Sequence, residues 1–444
     1  MIPEGFRVGL NEIRETSIDN GTLYHNYVDQ ILPDTDIGSW ASPILSNPQV
    51  MNEFFNVLIQ RIVYTQIYTK LFNNPLQILE GDTLPLGSIG QEIAINPIKG
   101  RKFDVDDFAG LLARYEADIK VQYLHLNSDI QYPVTVTRAK IVDAFTSWEN
   151  LNQFVDGITN ALYNGSYIDR YRMTKDLVGS AFAGNNVQYK IVNGITSADY
   201  AKAFVKEARN AYKLMQFPSS DYNAWNKVGG YGRALLTWTR PEDIVFLLRV
   251  DIGTELDVDV LANAFNMDKT TLMGRIIYVD NFDIYDGDEK IYDGSNIIGF
   301  MGDKSWFKIK TRELTMDEFY NANNRTWQFY LNDVRMYAYS LFANGLVFAT
   351  QKPDVKASNI EFIGADSYEL EEGKTMNVKV KLTPVNATSS TTFTSATPAV
   401  VSVEKISDTE VKITGVDANA TAVTITATNN SHTDTISVKC VSGS

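Results

Sequence analysis

The longest helical pattern of hydrophobic positions runs from Thr137 to Val178, a stretch without proline. Its apolar side chains recur at steps of three and four, which places them on one stripe of a helix. A helix of about 25 residues would be roughly 38 Å long, and so apolar a stripe needs a partner surface. Asn164-Gly165 interrupts the pattern, so we predict a spine of two helical runs over 137–178. Its core positions are Ile141, Phe145, Trp148, Leu151, Val155, Ile158 and Leu162.

The segment before the spine divides into three parts. Residues 1–47 are polar, contain several glycines and prolines, and predict an extended N-terminal arm rather than a disordered tail, because Trp40 and its apolar neighbours need burial. Asn47 and Pro48 then predict the cap and first turn of a helix that continues to Leu71. Residues 77–132 are rich in turns and predict a protruding β-hairpin.

After the spine the pattern becomes mixed. Residues 184–324 combine an amphipathic helix, Ala198–Met215, with an apolar run typical of a buried strand, Asp243–Asp251. Residues 326–350 carry runs of aromatic and β-branched side chains, which predict a long strand pair that packs on the spine. Residues 351–358 form a linker, and 359–444 contain short alternating runs that predict a separate β-sandwich. The fold class is therefore α+β followed by an all-β domain.

Composition limits the classes of function. The chain has 444 residues, 44% hydrophobic and 21% charged, with a net charge of −14. Its densest basic group, Lys99, Arg101 and Lys102, is followed at once by aspartates, which argues against dedicated nucleic-acid binding. No apolar run is long enough to span a membrane, and the first residues do not read as a secretory signal. The single Cys440 excludes internal disulfides and fits a reducing cytoplasm.

No group of residues predicts catalysis, a cofactor or a metal. His25, His125 and His432 lie far apart in sequence, and Gly229–Gly232 lacks the lysine of a phosphate-binding loop. An acidic group could attract Ca²⁺, but its spacing does not match an EF-hand loop. Its members are Asp280, Asp283, Asp286, Asp288 and Asp293.

Three separated blocks of the sequence point to a known family: Asn73–Gly87, Ala144–Asn164 and Glu255–Phe282. They closely resemble the major capsid proteins of small short-tailed phages (podoviruses) of the phi-29-like group. The resemblance implies the Hong Kong 97-type capsid fold: an N-terminal arm over 1–47 and a capsid domain over 48–350. Within that domain it implies an E-loop near 77–132, the spine helix at 137–178, an A-domain near 184–324 and P-domain strands at 326–350.

The last domain, 359–444, resembles bacterial immunoglobulin-like domains of group 2. The residues that carry this resemblance are Tyr368–Thr375, Leu382–Ala387 and Ile413–Thr428. The sequence departs from that family near Thr391–Phe393, where a core tryptophan is common.

The capsid resemblance implies a structural protein and not an enzyme. Copies would form the pentamers and hexamers of an icosahedral virion shell, with a separate scaffolding protein, a portal (connector) protein and double-stranded DNA held by non-specific proximity. Lys99, Arg101 and Lys102 would lie at E-loop contacts between subunits. The chain would be made in the host bacterial cytoplasm, and no membrane is involved.

Two other classes stay open at this point. The immunoglobulin-like module would also fit a surface adhesin or a carbohydrate-binding protein, although neither a secretion signal nor repeated modules is seen. Paired carboxylates within 184–324 would fit a hydrolase if the fold brought them together in a cleft.

Overall fold

The computed structural model describes residues 4–55, 72–85, 90–100, 114, 116–228, 233–255, 276–286, 289–419 and 421–442. Helices and strands are both abundant, in agreement with the α+β class. The helices are α1 Glu4–Asp19, α2 Tyr24–Tyr27, α3 Ile37–Ser46, α4 (described over 48–55), α5 Arg138–Ala144, α6 Trp148–Ala183, α7 Ala198–Leu214, α8 Trp225–Val228 and α9 Val250–Glu255.

The strands described before residue 350 form three sheets and a small hairpin. They are β1 Gly90–Ile95, β2 Ile119–Leu124, β3 Ser128–Thr137, β4 Gln188–Ile191, β5 Ile244–Arg249, β6 Ile276–Val279, β7 Ile284–Asp286, β8 Glu289–Tyr292, β9 Ile297–Asp303, β10 Phe307–Asn321, β11 Thr326–Tyr339 and β12 Gly345–Ala349.

The chain divides into two compact units. The first consists of Met1–Gly90, Leu124–Thr174 and Lys308–Ala338, and the second of Gln91–Tyr123, Lys175–Phe307 and Tyr339–Ser444. Helix α6, which we call the spine helix, contributes its residues 148–174 to the first unit and 175–183 to the second.

The first unit contains a three-stranded sheet in the order β10-β11-β3. Strand β11 runs antiparallel to β3, with Thr326 opposite Thr137 and Arg335 opposite Ser128. The predicted pairing within 326–350 is therefore wrong, because β11 pairs with β10 and β3, which both precede it in sequence. The first half of β3 (residues 128–132), assigned to the E-loop, and β10, assigned to the A-domain, belong to this sheet instead.

The N-terminal segment is not an extended arm. It forms α1, α2 and α3, and their inner faces enter the core of the first unit through buried side chains such as Leu10, Tyr24 and Trp40. The sequence of this segment shows no long helical pattern of apolar positions, because its apolar residues are divided among three separate helices. The next helix begins as predicted: the Asn47 side chain accepts from the Gln49 N–H at 3.0 Å. Its predicted continuation to Leu71 lies outside the described residues.

The spine helix also differs from its prediction. The helix is continuous through Asn164-Gly165, and the interruption comes earlier, between α5 and α6, at Phe145–Ser147. There the Ser147 hydroxyl accepts from the Asn150 N–H at 3.1 Å and caps the new helix. Gly165 serves packing: a Cβ at this position would come within 3.1 Å of the Tyr132 ring. The glycine marks a close approach and not a helix end.

The second unit contains a five-stranded sheet in the order β4-β12-β9-β5-β6. Strand β12, assigned to the P-domain, lies inside this sheet, where it pairs parallel to β4 and antiparallel to β9. Helix α7 covers one face, since Phe204 packs on Phe348 at 5.3 Å and on Phe246 at 6.3 Å between ring centroids. Strands β1 and β2 form a two-stranded ribbon, which is shorter than the hairpin predicted over 77–132.

The C-terminal segment of the second unit is a β-sandwich, as predicted. One sheet has the order β13-β15-β18-β17 and the other β14-β20-β19-β16. The Phe393 side chain is partly buried and packs against both hydrophobic clusters of the sandwich. The strands are β13 Asn359–Ile363, β14 Ser367–Glu371, β15 Thr375–Thr383, β16 Thr391–Ser395, β17 Val401–Ser407, β18 Glu410–Gly415, β19 Val423–Asn429 and β20 His432–Val441.

Candidate functional site along the spine helix

The apolar stripe lies in the core of the first unit. Its exposed fractions run from 0% to 8% for Ile141, Phe145, Leu151, Val155, Ile158 and Leu162. Trp148 is only partly buried. Its ring lies 4.9 Å from that of Trp40, and its Nε1 donates to the Thr35 carbonyl oxygen at 3.1 Å. The strand pair predicted to pack on the spine does not cover its first turns, where Trp40 of α3 packs on Phe145 and Trp148.

Helix α4 connects the spine helix to the sheet. The Phe55 ring lies 5.9 Å from Trp327 and Phe329 of β11, and 6.5 Å from Phe154 of the spine helix. The Trp327 indole N–H donates to the Asn52 side chain at 3.0 Å. Aromatic pairs at these distances add stability beyond the area that they bury. The sequence pattern gave no sign of this bridge, because its partners are more than 270 positions apart in sequence.

A buried ionic cluster ties the spine helix to β11. Asp333 accepts from Arg170 Nε at 2.9 Å, from Ser166 Oγ at 2.9 Å and from Arg335 Nε at 2.7 Å. Arg335 also donates to Glu80 at 2.8 Å. Burial opposes the charge of Arg335, but the Asp333 and Glu80 carboxylates outweigh it and raise the pKa of that guanidinium. A buried charge is tolerated when it is paired in this way.

Sequence reasoning missed this ionic cluster, although a signal was present. Asp333 and Arg335 occupy alternate positions in a strand rich in aromatic and apolar residues, and so they face the same side as buried residues. Nearby, Tyr132 donates its hydroxyl to Asp169 at 2.9 Å, and burial, followed by the charge of Asp169, raises its pKa.

The ribbon of β1 and β2 exposes apolar side chains. Ile93 is 55% exposed, Ile95 59% and Tyr123 63%. Its base is fixed by the buried Asn96, whose side chain contacts Asp118 at 2.6 Å and accepts from the Leu236 N–H at 3.0 Å. Of the three basic residues predicted for this region, Lys99 is exposed beyond the end of β1, and Arg101 and Lys102 lie outside the described residues.

Members of the acidic group of 280–293 form ion pairs with lysines. Asp280 pairs with Lys175 at 2.9 Å, and Asp283 pairs with Lys290 at 3.0 Å and accepts from the Gly294 N–H at 2.8 Å. Asp288 and Gly229–Gly232 lie outside the described residues. Within the described ranges no group of three or more His, Cys, Asp or Glu side chains could hold a metal ion. Nor does any described helix have the length and apolarity to cross a membrane.

Comparison with known proteins places these features in a family. The family model described as "Phi29-like phage major capsid protein" matches residues 10–349. The major capsid protein of Bacillus phage B103 is 28% identical over 369 residues, which span 82% of this chain and 77% of that protein. The major capsid protein of Streptococcus phage Cp-1 is 29% identical over 306 residues, 66% of this chain and 81% of that protein.

Among solved structures, a chain from the capsid of Staphylococcus phage Andhra superimposes with a TM-score of 0.53 at 14% identity, over 65% of this chain and 87% of that one. This likeness concerns the fold, which is the Hong Kong 97-type fold of phage capsids. The matched family range contains the spine helix and the three-stranded and five-stranded sheets, and it ends at the last residue of β12. The chain therefore belongs to the family of Phi29-like phage major capsid proteins.

Proposed function

We propose that copies of this chain self-assemble into the icosahedral shell of a tailed bacteriophage and enclose its double-stranded DNA. The observation that carries this function is the family match over residues 10–349, since it covers the described elements from the middle of α1 to β12. The role is structural and not catalytic. The subunit works by presenting surfaces to its neighbours, and the site of function is therefore its set of contact surfaces.

The ribbon of β1 and β2 is the first contact surface that we propose. Large exposed apolar side chains such as Ile93, Ile95 and Tyr123 are typical of surfaces that become buried on association. The ribbon and Lys99 would act as the E-loop, with Arg101 and Lys102 continuing the same contact. The buried spine stripe has the complementary role of holding the subunit rigid while its surfaces engage.

The subunit organisation that we propose keeps the expected parts with changed boundaries. Residues 1–47 act as a helical N-terminal region in place of an arm, and the P-domain is built on β3, β10 and β11. The five-stranded sheet with β12 forms the A-domain. Residues 359–444 form a separate domain after the segment 351–358.

The C-terminal sandwich is proposed to be immunoglobulin-like. We letter β13 as A and β15 to β20 as B to G, and treat β14 as an added strand. The first sheet, β13-β15-β18-β17, then has the order A-B-E-D of an immunoglobulin sheet. The second sheet then contains C-F-G as β16-β19-β20, with β14 added parallel to β20. This arrangement supports the group 2 resemblance, with Phe393 at the place where a tryptophan is common.

The partners proposed for assembly follow from the same function. Subunits would associate as pentamers and hexamers, guided by a separate scaffolding protein, around a portal protein in one vertex. A net charge of −14 suits a container that must not hold DNA tightly during packaging. Synthesis would take place in the host bacterial cytoplasm, and the mature location is the virion capsid.

The test is co-expression with a scaffolding protein, followed by sedimentation and electron microscopy. We expect closed shells of uniform size. The variant Ile93→Asp/Ile95→Asp is expected to stay soluble and folded by circular dichroism but to give fewer shells, because charges replace apolar contacts. Ile363→Asp, at a comparably exposed position of the sandwich, is the matched control. A wild-type chain that stays monomeric under all such conditions would contradict the shell function.

A further inference from the structure

The C-terminal end of the spine helix is closed by a compact hydrogen-bonded turn. Asn186 N donates to the Ala181 carbonyl at 2.7 Å, and Asn185 N donates to the Phe182 carbonyl at 2.9 Å. Asn185 has a φ of +53°, the left-handed conformation that such a turn requires. Glycine is the usual residue at this position, and asparagine is the next choice. The asparagine therefore offers a side chain at a place where a helix that ends in this turn usually has none.

The Asn185 side chain is hydrogen-bonded to the sandwich. The Asn185 Nδ2 donates to the backbone carbonyl of Asn386 at 2.6 Å. In return, the Asn386 Nδ2 donates to the Gly184 carbonyl and to the Asn186 Oδ1, the latter at 2.7 Å. Carbonyl groups at a helix C-terminus lack intrahelical donors and carry the negative end of the helix dipole. The Asn386 amide therefore provides a donor where the helix end needs one.

The segment 351–358 reinforces this contact, although the sequence suggested a linker. Thr388, two residues after Asn386, accepts from the Val355 N–H at 2.8 Å and donates from its hydroxyl to the Pro353 carbonyl at 2.7 Å. Ala357 N donates to the Ser389 hydroxyl at 2.9 Å, and both Pro353 and Ala357 are buried. A segment that buries two of its residues and forms several hydrogen bonds to the sandwich does not behave as a flexible tether.

We propose that Asn386 is a positioning residue that docks the sandwich onto the C-terminal end of the spine helix in one fixed orientation. The docking joins a residue beyond the matched family range to a turn inside it, because the match ends at residue 349. A docked domain presents the same surface in every copy of the subunit, whereas a tethered one loses orientational entropy each time that it makes a contact. The inference concerns the single subunit and holds whether or not the proposed shell forms.

The test measures orientation in the unassembled full-length chain. Spin labels are attached through Lys190→Cys on β4 and Lys379→Cys on β15, both exposed positions on either side of the contact. The native Cys440 is 0% exposed and does not compete for the label. Pulsed dipolar spectroscopy then gives the distribution of distances between the labels. We expect one narrow distribution in the parent protein.

Two variants break the contact from opposite sides. Asn386→Ala removes the amide on the sandwich, and Asn185→Gly removes the amide on the helix while keeping a residue that accepts the left-handed turn. Each is expected to widen the distribution at least twofold. The matched control is Asn359→Ala, because that exposed amide bonds to Glu361 within its own strand.

The outcomes separate cleanly. Widening in both variants, with a narrow control, supports docking through this pair of asparagines, and Asn185→Gly decides the matter if Asn386→Ala fails to fold. A broad distribution in the parent overturns the proposal. So does a distribution that stays narrow in the folded variants, or one that widens equally in Asn359→Ala.

Discussion

Glu318 places a carboxyl group on the apolar face of β10. It lies on the same face of the strand as Leu314, Met316 and Tyr320, which pack against the core of the first unit. Its Oε2 is buried without a hydrogen-bond partner among the described residues. Burial raises the pKa of Glu318 to about 7. Between the ordinary pKa of 4.5 and that value, the folded chain binds more protons than the unfolded chain. Stability therefore falls as pH rises through this window.

Glu318→Gln is predicted to remove this pH dependence. The variant should differ little from wild type below pH 4.5 and be more stable at pH 8, by on the order of 1–3 kcal/mol. Denaturant unfolding of the unassembled subunit at pH 5 and pH 8 measures the difference. Glu313→Gln, an exposed position on the same strand, is the control and is expected to show no such change. An equal gain at both pH values would mean that the titrating carboxyl is another one.

The sequence predicts the burial of some residues but not the contacts of others. Periodicity alone identifies Leu151 and Leu162 as core positions, since a helical stripe is a local property. It cannot identify Arg170 as the partner of Asp333, because the two are 163 positions apart and only the fold brings them together. Trp148 shows the intermediate case: periodicity places it on the stripe, but it is only partly buried, and its contacts with Thr35 and Trp40 lie more than 100 positions away in sequence.

At the scale of elements, the glycines of the spine helix have different tasks. A Cβ on Gly179 would lie 2.6 Å from the Phe282 carbonyl oxygen, whereas a Cβ on Gly157 would meet nothing within 4 Å. Gly179→Ala is therefore predicted to destabilise the second unit, since backbone must move to make room. Gly157→Ala is predicted to stabilise the helix by about 0.8–1 kcal/mol, because alanine is the better helix former. Thermal unfolding of both variants checks the pair, and a neutral Gly179→Ala would contradict the close approach.

The same glycines explain why helix boundaries were harder to predict than helix existence. Asn164-Gly165 has the composition of a helix end, yet the helix continues, because the contact of Gly165 with Tyr132 selects a small residue there. The true interruption at Phe145–Ser147 has a serine cap as its only local signal. Strand partners posed a similar problem: β11 and β12 are neighbours in sequence but belong to different sheets.

For the whole molecule, the sequence predicted the order of parts better than their boundaries. The change of composition after residue 350 predicts a boundary there, and the last strand of the five-stranded sheet, β12, ends at Ala349. Nothing local showed that 351–358 is bonded to Thr388 and Ser389, because those partners lie more than 30 positions away. The bonded segment changes where the chain can be shortened without damage.

A chain that stops after Thr350 is predicted to keep the capsid fold. The five-stranded sheet is complete at Ala349, and Thr350 N still donates to the Asn296 carbonyl at 2.8 Å. The turn after the spine helix keeps its own backbone bonds, so loss of Asn386 removes only the added donor. A chain that stops after Ala357 should be less soluble, because Pro353 and Ala357 lose the partners that bury them.

Circular dichroism and thermal unfolding compare the two shortened chains with the full chain, and electron microscopy after co-expression with a scaffolding protein counts shells. We expect shells from the shorter chain, with lower thermal stability than those of the full chain. If that chain is folded and soluble but forms no shells, the sandwich takes part in assembly itself, and its docking on the spine helix becomes a requirement of the shell.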